Sequence, residues 1–254
     1  MIIHGRRLSK AEVVDFVTDY KRKVESEPKG RYCRLIHLVP SQSRIIDLGC
    51  GWGTFSKMME EKGNIVLGID NSENEIEICK TVWGDTETLK FECKEIYDIE
   101  NKSFDCVVST QVIEHVHNPG NYLHQCNRVL RNGGLLIISV PNVMNPRFFV
   151  RLKGRRRNSE RSLIARSQKI NNQYVKSRDH IQAWDPPHFV TLVSTVGFVL
   201  EKYEPMEGIP MPSSWKLFPR YIQSEVFLRL FGNYSYTMAF LFRKIRKSSM
   251  RNSD

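Results

Sequence analysis

The run Ile45–Ser56, IIDLGCGWGTFS, limits what this chain can fold into more than any other stretch. An apolar pair leads into Asp47, and glycines then occupy alternate positions at 49, 51 and 53. The pattern describes a buried strand that ends in a loop too tight for side chains and then opens a helix. Glycine supplies positive φ angles, and its missing Cβ lets a ligand lie against bare backbone. A nicotinamide fingerprint places its glycines at relative positions one, three and six. Position six here is Thr54, and the third glycine comes one place early, at Gly53. A P-loop needs Gly-Lys-Ser/Thr at its end, which is absent.

Strands and helices alternate from this point. The apolar spacing predicts strands at 45–48, 65–69, 89–93, 104–109 and 135–140, the last after a Gly133-Gly134 turn. Helices are predicted at 54–62, 73–80 and within 118–130. Strands separated by helices of this length imply βαβ crossovers and a parallel sheet covered on both faces. In such sheets ligands bind beyond the carboxyl ends of the strands. Asp70, closing the second strand about twenty residues after the glycine loop, is placed to accept both hydroxyls of a ribose. It also fits as an ordinary acid before the helix starting at Glu73.

Around this core the chain is less regular. Ser9-Lys-Ala-Glu12 fits a capping box for a peripheral helix, Pro28-Lys-Gly30 interrupts it, and 32–39 reads as a second short helix stopped at Pro40. Past Pro141 comes a basic segment, then a helix within 180–197 feeding a strand at 198–203. A connection rich in Pro, Met and Gly follows at 205–219. A helix at 223–231, a last strand at 234–243 and a basic tail complete the chain.

Charge sharpens this picture. The net charge of +10 belongs to one segment: Arg147–Arg178 holds eleven Lys or Arg against the single acid Glu160, and the remaining 27 basic and 27 acidic residues balance. At 254 residues and 41% hydrophobic the chain can bury a sizeable core. No apolar h-region follows the Met1 end and no apolar run approaches a membrane span, so neither signal peptide nor transmembrane helix is expected. Six scattered cysteines without a CxxC pair suit reduced thiols in a cytoplasmic protein, not disulfides or zinc.

Taken together, Ile46-Asp-Leu-Gly-Cys-Gly-Trp-Gly53, Gly68-Ile-Asp70, Ser103-Phe-Asp-Cys-Val-Val108, Val112-Ile-Glu-His-Val116, Arg128-Val-Leu-Arg-Asn-Gly-Gly-Leu135 and Val140-Pro-Asn142 resemble the class I S-adenosylmethionine-dependent methyltransferases. Within that class the resemblance is to the small-molecule enzymes of the ubiquinone-biosynthesis type, and it covers about residues 40–205. It implies an α/β fold: a doubly wound, mostly parallel seven-stranded sheet of Rossmann-like methyltransferase type in one domain. A helical cap (1–40), cofactor core (41–142), basic inserted lid (143–180), C-terminal strands and helices (181–243) and basic tail (244–254) would compose it.

The resemblance also carries roles. Asp47, Gly49 and Gly51 would hold the methionine amine and carboxylate of S-adenosylmethionine, Asp70 the ribose, and Asn71 the neighbourhood of the adenine. Glu95 and Ile96 align best with the family's adenine contacts, with Asp98 as the alternative. Thr110 and Gln111 would sit beside the methionine portion.

Methyl transfer is an in-line displacement at a carbon activated by positive sulfur, helped by positioning and water exclusion. A base is needed where the acceptor must lose a proton. His115, at the cleft mouth, is the first candidate, its alternative role being to orient the loop. His188, in Asp185-Pro-Pro-His188, is the second. His117 and His124 read as surface residues, and no metal site is expected. Asp185-Pro-Pro-His188 is not the Asp/Asn-Pro-Pro-aromatic signature of base-modifying methyltransferases, which belongs after the fourth strand, where this chain has Ser109-Thr-Gln-Val112.

The expected reaction is methylation of a small, anionic acceptor, at oxygen in preference to nitrogen or carbon. Arg147–Arg178 reads as a clamp on that acceptor, as a nucleic-acid or anionic-membrane patch, or as a solvated loop. A cofactor-binding protein without turnover is the non-enzymatic alternative.

Overall fold

The computed structural model describes residues 1–100, 104–145, 181–210, 221–222 and 231–245. A short hairpin, β1 (Ile2–Ile3) and β2 (Arg6–Arg7), precedes helices α1 (Lys10–Glu25) and α2 (Arg31–Leu35). The capping box forms as the sequence predicts, with Ser9 Oγ accepting from the Glu12 amide and Glu12 Oε2 accepting from the Ser9 amide at 2.8 Å. The core then runs β3 (Arg44–Leu48), α3 (Thr54–Glu61), β4 (Ile65–Asp70), α4 (Glu73–Val82), β5 (Leu89–Cys93), β6 (Phe104–Thr110), α5 (Pro119–Val129) and β7 (Leu130–Pro141). Helix α6 (Pro186–Thr195), β8 (Phe198–Met206), the small pair β9 (Ile209–Pro210) and β10 (Tyr221–Ile222), and β11 (Thr237–Lys244) follow.

Seven strands form one sheet in the order β5-β4-β3-β6-β7-β11-β8. The five strands from β5 to β7 pair in parallel, and β11 lies antiparallel between β7 and β8. Strand alternation sends successive apolar residues to opposite faces. Ile46, Val107, Leu136 and Ile138 pack under α5 and α6 with Leu123, Cys126, Phe189 and Val193. Ile45, Cys106, Val108 and Ile137 pack on the other face with Leu35, Phe55, Met59 and Cys79. Phe240 and Phe242 of β11 are fully buried, each contributing about 1.5–3 kcal/mol of apolar burial.

Three boundaries differ from the sequence reading. Gly133-Gly134 is not a turn before a strand but an irregularity inside β7: Phe104 pairs with Leu130 and Cys106 already with Leu135. Gly133 has φ +74°, which lets the extra residues loop out without breaking the strand. The helix expected within 180–197 begins only at Pro186, because Asp185 caps it by accepting from the His188 amide at 2.9 Å and prolines fill its first turn. A 3₁₀ turn, Gly232–Tyr234, occupies the start of the predicted last strand. The Arg147–Arg178 segment, the 223–230 stretch and the tail beyond Ile245 lie outside the described residues.

Chain order places the crevice. From the central β3 the chain builds outward to β4 and β5, then crosses to β6 and β7 on the other side. Ligands in open α/β sheets bind where that order reverses, beyond the carboxyl ends of β3 and β6.

Candidate active site

The loop after β3 is held from below. The Gly49 and Cys50 amides both donate to the Ile69 carbonyl at 2.9 and 3.0 Å, tying the loop to the end of β4. Gly49 has φ +68°, and a Cβ there would stand 2.5 Å from Val112 Cγ2, so only glycine fits between β3 and the segment after β6. Gly51 differs: φ is +52°, yet a Cβ would meet nothing within 4 Å. Its backbone therefore borders open space, as a ligand-facing peptide must. The N-terminal cap docks on the same loop through Trp52, whose ring meets His4, Phe16 and Tyr20 at 5.5 Å centroid separations.

Asp70 accepts from the Gly51 amide at 3.1 Å through Oδ2 and from the Ser72 amide at 2.9 Å through Oδ1. Each carboxylate oxygen has two lone pairs, so capacity for two hydroxyls remains. The helix cap is Ser72, not Asp70. Asn71 is exposed beside it.

Asp47 is the buried member of the pair. Its Oδ2 accepts from Ser56 Oγ at 2.6 Å, and its Oδ1 has no hydrogen-bond partner. Burial pushes its pKa up to about 7; the Ser56 hydrogen bond opposes the shift and the nearby Asp70 charge adds to it.

That orphaned oxygen has company. Among the described residues, seven buried side-chain polar atoms lack a partner: Arg31 Nε, Asp47 Oδ1, Thr54 Oγ1, Gln111 Nε2, both oxygens of Glu114, and Ser139 Oγ. Asp47 closes β3, Thr54 opens the helix after the glycine loop, and Gln111 and Glu114 follow β6. Ser139 pairs with Thr110 at the end of β6 and β7. Buried polar groups are normally satisfied, and each orphan costs about 1–3 kcal/mol. Their concentration at the carboxyl ends of the strands marks a place shaped for a polar guest.

The other residues chosen from sequence divide in two. Thr110 and Gln111 sit at the end of β6, and Gln111 has φ +57°, an uncommon conformation at a ligand cleft. His115 ends a 3₁₀ turn, Ile113–His115, and is part-exposed. Glu95 and Asp98 are engaged in a reciprocal capping box across the turn after β5, and the Ile96 side chain is buried in the core. His188 turns back on its own helix cap: Nδ1 lies 2.7 Å from Asp185 Oδ2, and the side chain is 82% exposed. His117 and His124 are exposed. Among the described residues no group of His, Cys, Asp and Glu could hold a metal ion.

Two residues escaped the sequence reading. Arg31 Nη2 contacts both carboxylate oxygens of Glu207 at 3.0 and 3.1 Å, while its Nε remains buried and unpartnered. Glu114 is wholly buried, and its backbone carbonyl, not its side chain, accepts from the Ile181 and Gln182 amides at 2.9 and 3.1 Å. Burial pushes its carboxyl up to about 7, against the opposing pull of its own backbone amide and the weaker field of Arg31. The available signal for Glu114 was an acid embedded among Val112, Ile113 and Val116. Nothing local marked Arg31.

Known proteins resemble the core of this chain in sequence and in fold. Residues 46–138 match the family described as a methyltransferase domain. The matched stretch runs from β3 into β7 and includes the glycine loop. The ubiquinone biosynthesis O-methyltransferase of Roseobacter denitrificans is 34% identical over 110 residues, covering 42% of this chain and 44% of that protein. The chain thus matches less than half the length of that relative.

Among solved structures, the methyltransferase bound to the Haloferax volcanii Trm112 methyltransferase activator superposes with a TM-score of 0.60 at 15% identity, over 92% of this chain and 98% of that one. An S-adenosylmethionine dependent methyltransferase from Mesorhizobium loti gives 0.57 at 19% identity, over 84% of this chain and 96% of that one. The chain therefore shares the fold of those structures, a doubly wound sheet with β11 inserted antiparallel.

Proposed function

We propose that this protein binds S-adenosylmethionine beyond the carboxyl ends of β3, β4 and β6 and transfers its methyl group to an oxygen of a small, anionic acceptor. One observation carries the reading: the unpartnered Asp47 Oδ1 lies in the same crevice as the open face of Gly51 and the spare acceptor capacity of Asp70. A cationic amine and a pair of ribose hydroxyls fit those three features.

In this reading Asp47, with the backbone at Gly49 and Gly51, takes the methionine amine. The part-buried Arg31 guanidinium, on α2, takes the carboxylate. Asp70 accepts from the ribose hydroxyls, and Asn71, Glu95 and Ile96 border the adenine. Thr110 and Gln111 flank the methionine chain. The bound sulfonium supplies an electrophilic methyl carbon, so the protein's task is to hold the acceptor in line and exclude water. His115, part-exposed at the cleft mouth, removes the acceptor proton.

The O-methyltransferase names of the partial relatives favour oxygen as the accepting atom. The charge of Arg147–Arg178 favours an anionic acceptor, with a polyanionic surface, RNA or membrane, as the second reading. Six free cysteines favour a cytosolic setting.

Calorimetry with Asp70→Ala tests the cofactor site. We expect affinity for S-adenosylmethionine to fall on the order of 100-fold, since charge-assisted hydrogen bonds are worth about 1.5–3 kcal/mol each. Unchanged affinity removes the ribose assignment. A metabolite screen with methyl-labelled cofactor identifies the acceptor. Loss of RNA and vesicle binding even at low salt would dispose of the second reading.

A further inference from the structure

Glu114 is the one buried carboxylate whose two oxygens both lack a partner among the described residues. It follows β6 by four positions and lies within the field of Arg31. Arg31 already faces Glu207 through Nη2. Among the described residues Glu114 therefore shares the field of Arg31 with Glu207, and neither of its oxygens has a partner of its own.

A carboxylate kept in this position is costly to the empty protein. Its neutral form can occupy the hole, but a Leu or Met would occupy it at lower cost. The side chain anchors nothing: residues 181–182 are tied by the backbone carbonyl of Glu114. The ligand proposed above brings two positive centres, an amine and a sulfonium, and only the amine is assigned a partner in Asp47.

We propose that Glu114 senses the sulfonium charge, so that the protein holds the methylated donor more tightly than the neutral thioether left after transfer. The proposal rests on the cofactor reading of the same crevice. Contact is not required. Charges several ångströms apart in a poorly screened interior interact by amounts that change affinity on the order of 10- to 30-fold. When the charge disappears from sulfur, Glu114 loses its counter-ion and takes up a proton, and the crevice returns to its ligand-free charge state. Product leaves more readily as a result. Besides Arg31 on α2, the titratable group in mutual field with Glu114 is the buried Tyr122 hydroxyl on α5; His115 is its chain neighbour.

The test is calorimetry of the full chain, wild type and Glu114→Gln, against S-adenosylmethionine and S-adenosylhomocysteine at pH 8. The Gln variant should bind the donor on the order of 10-fold more weakly and the product within about two-fold of wild type. Near pH 7 the wild type should also release protons on binding donor, seen as different heats in two buffers, and Glu114→Gln should release fewer.

Equal weakening toward both ligands would assign Glu114 a packing role and overturn the proposal, as would unchanged donor affinity. Should Glu114→Gln not fold, the wild-type ratio of donor to product affinity decides. The amine is common to both ligands, so Asp47 cancels in that ratio. A ratio rising with pH through about 7 supports the proposal, and a flat ratio overturns it. Wild type binding neither ligand would instead bring down the cofactor reading on which it rests.

Discussion

The two ends of the parallel strands treat their polar groups in opposite ways. At the amino ends, Asp105 accepts from the Arg44 amide at 2.8 Å and pairs with Arg131. Asn64, buried ahead of β4, satisfies the Ser43 amide and the Pro40 and Met59 carbonyls at 2.9–3.0 Å. The buried Lys244 ammonium donates to the last carbonyls around α5, Asn127 at 2.5 Å and Leu130 at 2.7 Å. At the carboxyl ends, Asp47, Thr54, Gln111, Glu114 and Ser139 keep orphaned atoms. One end is finished by the fold, and the other is left for a ligand to finish. The difference appears in ionisation too. Burial opposes the charge of Asp105, but the Arg44 amide and Arg131 hold its pKa below the usual carboxylate value, whereas burial prevails at Asp47.

Substituting glycines at the two ends should give the largest contrast. Gly49→Ala forces a Cβ to 2.5 Å from Val112 Cγ2 at φ +68° and should cost roughly 3–4 kcal/mol in denaturant unfolding. Adding Val112→Ala should recover the steric part alone. Gly133→Ala, at φ +74° with nothing within 4 Å, should cost only about 1–2 kcal/mol. Equal costs would mean that the loop is no tighter than an ordinary bulge.

Titration should separate the ends next. Asp47 has a folded pKa near 7 against an ordinary value near 3.8, so the folded state binds the extra proton. Its favourable contribution is complete below pH 4 and is lost as pH rises toward 7. At 1.36 kcal/mol per unit this amounts to roughly 4 kcal/mol, and Asp47→Asn should flatten that part of the stability profile without ligand. Asp105 runs the other way. Its depressed pKa stabilises the protein above the unfolded value, a contribution lost as pH falls through the folded one. Being part-exposed and screened, it should be worth about 1 kcal/mol or less, so Asp105→Asn is the smallest effect, read as a slightly weaker acid dependence. A rise in stability with pH at Asp47 would break the comparison.

Much of the scaffold was legible because it rests on short-range patterns. Short, nearly continuous apolar runs at 45–48 and 104–109 encode buried strands, and Ser9 with Glu12 encodes a helix start. Glycines 49, 51 and 53 encode a loop by sterics alone. The finished site was less legible. Glu114 stands among apolar neighbours in the sequence, but only the fold leaves both its oxygens unpartnered, and Arg31 meets Glu207 only across 176 residues of chain. His188 illustrates the converse: its attractive Asp-Pro-Pro-His setting is a helix cap whose parts satisfy one another. Burial and long-range approach created the orphaned atoms, and neither is written in local spacing.

The position of β11 has a consequence in time. Residues 237–244 lie inside the sheet, pairing with β7 on one side and β8 on the other, although they follow every other described strand in the chain. While a ribosome is still delivering residues before 237, β7 presents an open edge and β8 has no neighbour in the large sheet. The half of the sheet bearing the glycine loop can assemble early, while the other half must wait. A nascent chain therefore passes through an interval in which one strand edge is available to any extended segment nearby. The arrival of β11 closes that interval and anchors the last α5 carbonyls through Lys244.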